Sequence, residues 1–163
     1  MITLAQIAIS LSETSAPPGR VLARIAERQH GVVSRAQLVT LGFNDHWIAR
    51  AVISGRLHRV HVGVYAVGHP RLTQRGRWMA AVLAGGEGAL LSHFSAGLLW
   101  KILDRDVDLI HVLIAGASAH RRPGIAMHRT RDLPPEHCHE FDGIPVTSLN
   151  RTLLDLAAVM PPE

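Results

Sequence analysis

The 163-residue chain has one cysteine, one lysine, one tyrosine and few aromatic residues of any kind. A single thiol, Cys138, excludes an intrachain disulfide and suits a reducing cytoplasm, the expected location. With aromatics at 4% and apolar residues at 47%, Leu, Val, Ile and Ala must fill the interior. No apolar run is long enough to span a bilayer. The opening stretch is apolar in part but has no basic residue before Arg20, so it makes a poor signal peptide. Residues 1–19 read as a flexible tail, set off by Pro17-Pro18-Gly19.

Acidic residues are scarce in one half only. Residues 1–70 carry seven arginines against three acids, so the whole net charge of +4 lies there. Residues 71–163 balance to zero. Coding bias accounts for sixteen arginines to one lysine, but not for Asp45 standing alone as an acid between Val32 and Pro70. Attraction to phosphate favours such a placement.

The same half carries a pattern. Val21, Leu22, Ile25 and Ala26 share a helical face over residues 20–29, with Gly31 as its C′ residue. Ser34 and Gln37 form a capping box that starts a second helix, whose apolar face is Leu38, Leu41 and Val39. Gly42 supplies a turn, and Asn44 caps a third helix running to Ser54. There Trp47, Ile48, Ala51 and Val52 face inward, leaving His46, Ala49, Arg50 and Ile53 outward. Leu57–Val60 and Val64–Val67 read as a hairpin around His61-Val62-Gly63. Helix, turn, helix, hairpin is the order of a winged helix-turn-helix, closed by Gly68-His69-Pro70.

Residues 71–163 read as a small α+β domain, so the fold class is α+β throughout. Helices are expected over 72–84 and 92–102, the latter capped by Ser92. Leu109–Ile114 reads as a buried strand that Ile125–Thr130 and Ile144–Val146 can join. Thr147 is expected to cap a last helix with Leu149, Leu153, Leu156 and Ala157 on one face.

Candidate contacts follow from this layout. If the third helix enters the major groove, Arg50 and His46 lie one turn apart on its outer face, and Arg50 suits a guanine edge or a phosphate. Asn44 and Arg35 stand at helix N-termini, where phosphate is held. Arg56, His58, Arg59 and His61 flank or build the wing and suit phosphate or minor-groove contact. Trp47 reads as a core residue. Catalytic and cofactor signatures are missing, so no enzyme is expected. His137-Cys138-His139 lacks zinc-site spacing and reads as a polar loop. Ser92, His93 and Ser95 are neighbours without an evident orienting Asp, and read as a cap beside a packed or surface histidine. Asp104, Asp106 and Asp108 lack the glycine and closing Glu of a calcium loop.

The strings GVYAVGHP, LSHFSA and GIPVTSLNRTLLDLA add a resemblance. Over roughly residues 20–160 the chain resembles AbiEi-type antitoxins of type IV toxin–antitoxin systems. The closer likeness is to an actinobacterial branch in which this region precedes a Vsr-like endonuclease domain. The resemblance implies a winged helix that binds double-stranded DNA at its own promoter. It also implies a second domain contributing to antitoxicity, in phage defence, against a nucleotidyltransferase-like toxin with no stable complex. The chain stops at Pro161-Pro162-Glu163, where longer relatives would continue, so nuclease activity is not expected. A complete short form, a truncated gene and a partial chain all stay open, and the alternative reading is a non-catalytic DNA-targeting front end. Oligomeric state is open too.

Overall fold

A computed structural model describes residues 16–104, 108–116 and 121–160, together with Gln6. Most of the expected tail, Asp106 and the closing Pro161-Pro162-Glu163 lie outside the described residues. The chain forms two compact units, one up to Ala84 and one from Gly85. The architecture is α+β in both.

Pro18 occupies the first turn of helix α1 (Pro18–Arg28), where its missing N–H costs nothing. Val21, Leu22, Ile25 and Ala26 are buried, as their spacing requires. The stop differs from the expected one. His30 takes the left-handed C′ position at φ 57°, and Gly31 follows it, donating to the Ala26 carbonyl at 2.7 Å.

Strand β1 (Val32–Ser34) then leads into helix α2 (Arg35–Thr40). The capping box is present in full: Gln37 N donates to Ser34 Oγ, and Ser34 N donates to Gln37 Oε1. Leu38 and Leu41 are buried, but Val39 is 48% exposed and is no part of the inner face. Gly42 turns the chain at φ 90° into helix α3 (Asp45–Ile53), where Asn44 accepts from Trp47 N at 2.9 Å. Strands β2 (Leu57–His61) and β3 (Val64–Val67) complete a three-stranded antiparallel sheet in the order β1-β3-β2. The first core gathers Ile25, Val33, Leu38, Ile48, Ala51, Leu57 and Tyr65 from all these elements. Helix α4 (Gln74–Gly85) follows, buried along most of its length.

The second unit holds a five-stranded sheet in the order β6-β5-β4-β8-β7. Its members are β4 (Leu90–Leu91), β5 (Ile110–Ala115), β6 (Ile125–Thr130), β7 (Cys138–Phe141) and β8 (Ile144–Thr147). β5 pairs with β6, as anticipated, and the two run parallel. β8 does not join β5, because the two-residue strand β4 lies between them. The expected polar loop around Cys138 is instead edge strand β7, paired antiparallel with β8 after one 3-10 turn at Pro135–His137.

Helices α5 (His93–Leu99) and α6 (Leu149–Val159) pack on each other. Two caps differ from expectation. Ser92 stands at the N-cap of α5 without a side-chain cap bond. α6 is capped by Ser148, whose Oγ accepts from Arg151 N, while Thr147 lies buried in β8. The buried face of α6 is Thr152, Asp155 and Leu156, leaving Leu149, Leu153 and Leu154 exposed. Polar partners within the unit take the inner positions that the leucine spacing claimed. Among the described residues, no helix is long and apolar enough to cross a membrane.

Candidate nucleic-acid interface

Helix α3 buries Ile48 and Ala51, half-buries Trp47 and Val52, and exposes His46, Ala49, Arg50 and Ile53. At 100° per residue the four exposed positions form one continuous face. Trp47 stacks on Phe43 with ring centroids 4.0 Å apart, packed against the core. Arg56 lies over the same indole, 5.8 Å from its centroid, and donates to Ser54 Oγ. The tryptophan thus serves as a platform for a cation beside α3.

Arg35 is the point where three elements meet. Its guanidinium grips Asp45 at the start of α3, with NH2 at 2.6 and 2.7 Å from the two carboxylate oxygens and Nε at 2.9 Å from one. Its backbone N–H donates to Gly63 O at 2.7 Å, which ties the wing turn to the start of α2. Gly63 takes φ 73°, and the register shifts between Arg59 and His61, so the turn is a bulged one. The ion pair is exposed, with side chains 50% and 71% accessible, so water screens it and it adds little to stability.

Of the expected contact residues, Arg35, Asn44, His46, Arg50, Arg56 and Arg59 are exposed, and His58 and His61 are half-buried. Asn44 spends its carbonyl oxygen on the helix cap, leaving its amide N–H groups for other partners. Arg35 and Arg56 are already engaged within the unit. Spacing in the sequence carried no sign of either engagement.

The second unit holds a polar cluster of another kind. His93 begins α5 at φ 47°, an uncommon conformation for a side-chain-bearing residue. That turn brings its Nδ1 within 3.0 Å of Ser92 Oγ, although neighbours inside a regular helix do not face each other. Asp155 Oδ2 lies 4.0 Å from the same nitrogen and is buried with no hydrogen-bond partner, while Oδ1 accepts from Arg151 Nε at 2.8 Å. So an aspartate does stand near His93, contrary to the sequence reading. Both oxygens approach Nδ1, whereas a serine–histidine–aspartate relay needs them on opposite ring nitrogens.

His128 stacks on His93 with centroids 3.6 Å apart and shares a 2.9 Å hydrogen bond with His111 Nδ1 through its Nε2. Burial and the neighbouring His128 push His93 and His111 down to about 4. Burial lowers His128 as well. Parallel stacked rings hold their nitrogen lone pairs in separate planes, and no group of three His, Cys, Asp or Glu among the described residues is placed to hold a metal ion. The segments LSHFSA and VTSLNRTLLD, distant in sequence, meet in this cluster.

Residues 20–68 match a family model described as transcriptional regulator, AbiEi antitoxin. Over this segment the chain is similar to AbiEi antitoxins. The AbiEi match takes in α1, both helices of the helix-turn-helix and the wing, and ends at Gly68 where the hairpin closes. The similarity is thus to a family of transcriptional regulators, and it is confined to the first unit. No curated protein matches the chain.

Proposed function

We propose that the protein is a DNA-binding regulator that represses its own promoter, acting as an AbiEi-like antitoxin. In this reading residues 20–70 form the DNA-binding domain. Residues 71–163 counter a nucleotidyltransferase-like toxin in the cytoplasm, without a stable complex. The observation that carries the reading is the outer face of α3, with His46 and Arg50 exposed beside a wing bearing Arg59. The only acid between Val32 and Pro70, Asp45, is neutralised by Arg35.

α3 is the element that enters the major groove. Arg50 is assigned a base edge or a phosphate, and His46 a position one turn before it. Asn44 and Arg35 hold phosphate at the helix N-termini. Arg56, His58, Arg59 and His61 contact the backbone or minor groove along the wing.

The test is binding of the purified chain to its own upstream DNA, with scrambled competitor, at low and near-physiological salt. Specific binding that survives competitor is expected. Equal loss to any DNA overturns the reading.

A further inference from the structure

Among the described residues, the two most exposed large apolar side chains are Ile53, at 86%, and Val62, at 78%. One ends α3 and the other tips the wing. Val62 sits on a turn that gives it no helical face to argue from. Ile53 is different. Laid out at 100° per residue, it falls between His46 and Ala49, with Arg50 beside His46, and nearly opposite buried Ala51. It is therefore the centre of the outward face and not an edge residue that slipped from the core.

An isoleucine held fully in water at that place gains from meeting an apolar surface. The major groove offers one such group at base level, the C5 methyl of thymine. The surroundings select this occupant. Arg50 shares the face, Arg56 is held beside α3 on Trp47, and Asp45 is paired with Arg35. A polyanion with an apolar spot in its groove fits that pattern.

We propose that Ile53 is a specificity-determining residue that packs on a thymine methyl in the major groove, with Ala49 lining the same contact and Arg50 reaching a base or phosphate one turn away. The proposal rests on the DNA-binding reading and goes beyond it by naming the chemical group that is read.

The experiment compares upstream DNA with the same fragment in which deoxyuridine replaces thymine, position by position, which removes the methyl and keeps base pairing. Affinities are measured by fluorescence anisotropy for the full chain, for Ile53→Ala, and for Leu154→Ala as an exposed-leucine control in the other unit. The unsubstituted chain is expected to lose about three- to tenfold in affinity at one or two uridine positions. Ile53→Ala should lose a similar factor on thymine DNA and become indifferent to uridine there, while Leu154→Ala behaves as the parent. Circular dichroism should show Ile53→Ala folded, since its side chain is exposed.

Specific binding by the parent chain that is blind to uridine at every position overturns the proposal and leaves the DNA-binding reading standing. Absence of specific binding overturns both. If Ile53→Ala instead shifts a self-association equilibrium in sedimentation while uridine has no effect, the face belongs to a second copy and the proposal fails.

Discussion

Gln29 and Gln37 exchange side-chain amide bonds in the core of the first unit: Gln29 Nε2 donates to Gln37 Oε1 at 3.0 Å, and Gln37 Nε2 returns to Gln29 Oε1 at 2.8 Å. Both are essentially inaccessible. Gln29 also donates to Val32 O, and Gln37 Oε1 also accepts from Ser34 N. The pair thus locks the end of α1, strand β1 and the start of α2 together. Removing one member strands buried polar atoms, which costs about 1–3 kcal/mol. Gln29→Leu and Gln37→Leu should each lower unfolding stability by that order, and the double variant by clearly less than the sum. Urea titrations of the four proteins test this, and strict additivity would show that the pair carries no coupling.

Gly76 should reject even a methyl group. A Cβ there would sit 2.8 Å from the backbone oxygen of His30 and 3.3 Å from Leu72. Alanine within a helix ordinarily stabilises by about 1 kcal/mol over glycine. Here overpacking against fixed backbone reverses the sign, and Gly76→Ala should cost about 1–3 kcal/mol. A raised melting temperature for this variant would contradict the packing described.

Acid should weaken the second unit. His93 and His111 are held at about 4 when folded and return to their ordinary value of 6.5 when unfolded. Between those values the unfolded chain binds protons that the folded chain refuses, so stability is fully present above pH 6.5 and drains as pH falls toward 4. His128 and, in the first unit, His30 are lowered too and act in the same direction. The urea midpoint should therefore be lower at pH 5 than at pH 7.5, with a shallower dependence in His111→Gln. Equal midpoints at the two pH values would refute this.

In the proposed DNA complex Arg50 and Arg59 act through charge. Arg50→Ala and Arg59→Ala should each weaken binding, and loss of a phosphate contact should reduce the slope of log affinity against log salt by about one. Asp45→Asn should do the opposite, because it releases Arg35 and removes the acid nearest the DNA-facing helix. Salt titrations of the three variants separate these effects.

What could be read in the sequence was local. Ser34 caps an amide three residues away, and the outer face of α3 repeats every turn, so both were visible in one dimension. The second role of Gln37 was not, because its partner lies across the core. Strands β1 and β4 are three and two residues long, too short for alternation to register. In α6 the leucine spacing holds at Leu156 but not at Leu149 and Leu153, which are exposed. Thr152 is drawn inward by Thr147, at 2.8 Å between hydroxyl oxygens, and Asp155 lies buried near His93. Among the expected contact residues the outward set on α3 was legible, whereas the Arg35–Asp45 and Arg56–Trp47 engagements depend on folding.

The wing is anchored at both ends of its ribbon. Gly63 O accepts from Arg35 N at the tip, Gly31 O accepts from Val67 N at the base, and β1 pairs along β3 between them. A loop so fastened has little freedom left to surrender when a partner arrives. Calorimetry of the proposed operator complex should accordingly show a heat-capacity change matched to the area of contact alone, without the excess that accompanies coupled folding.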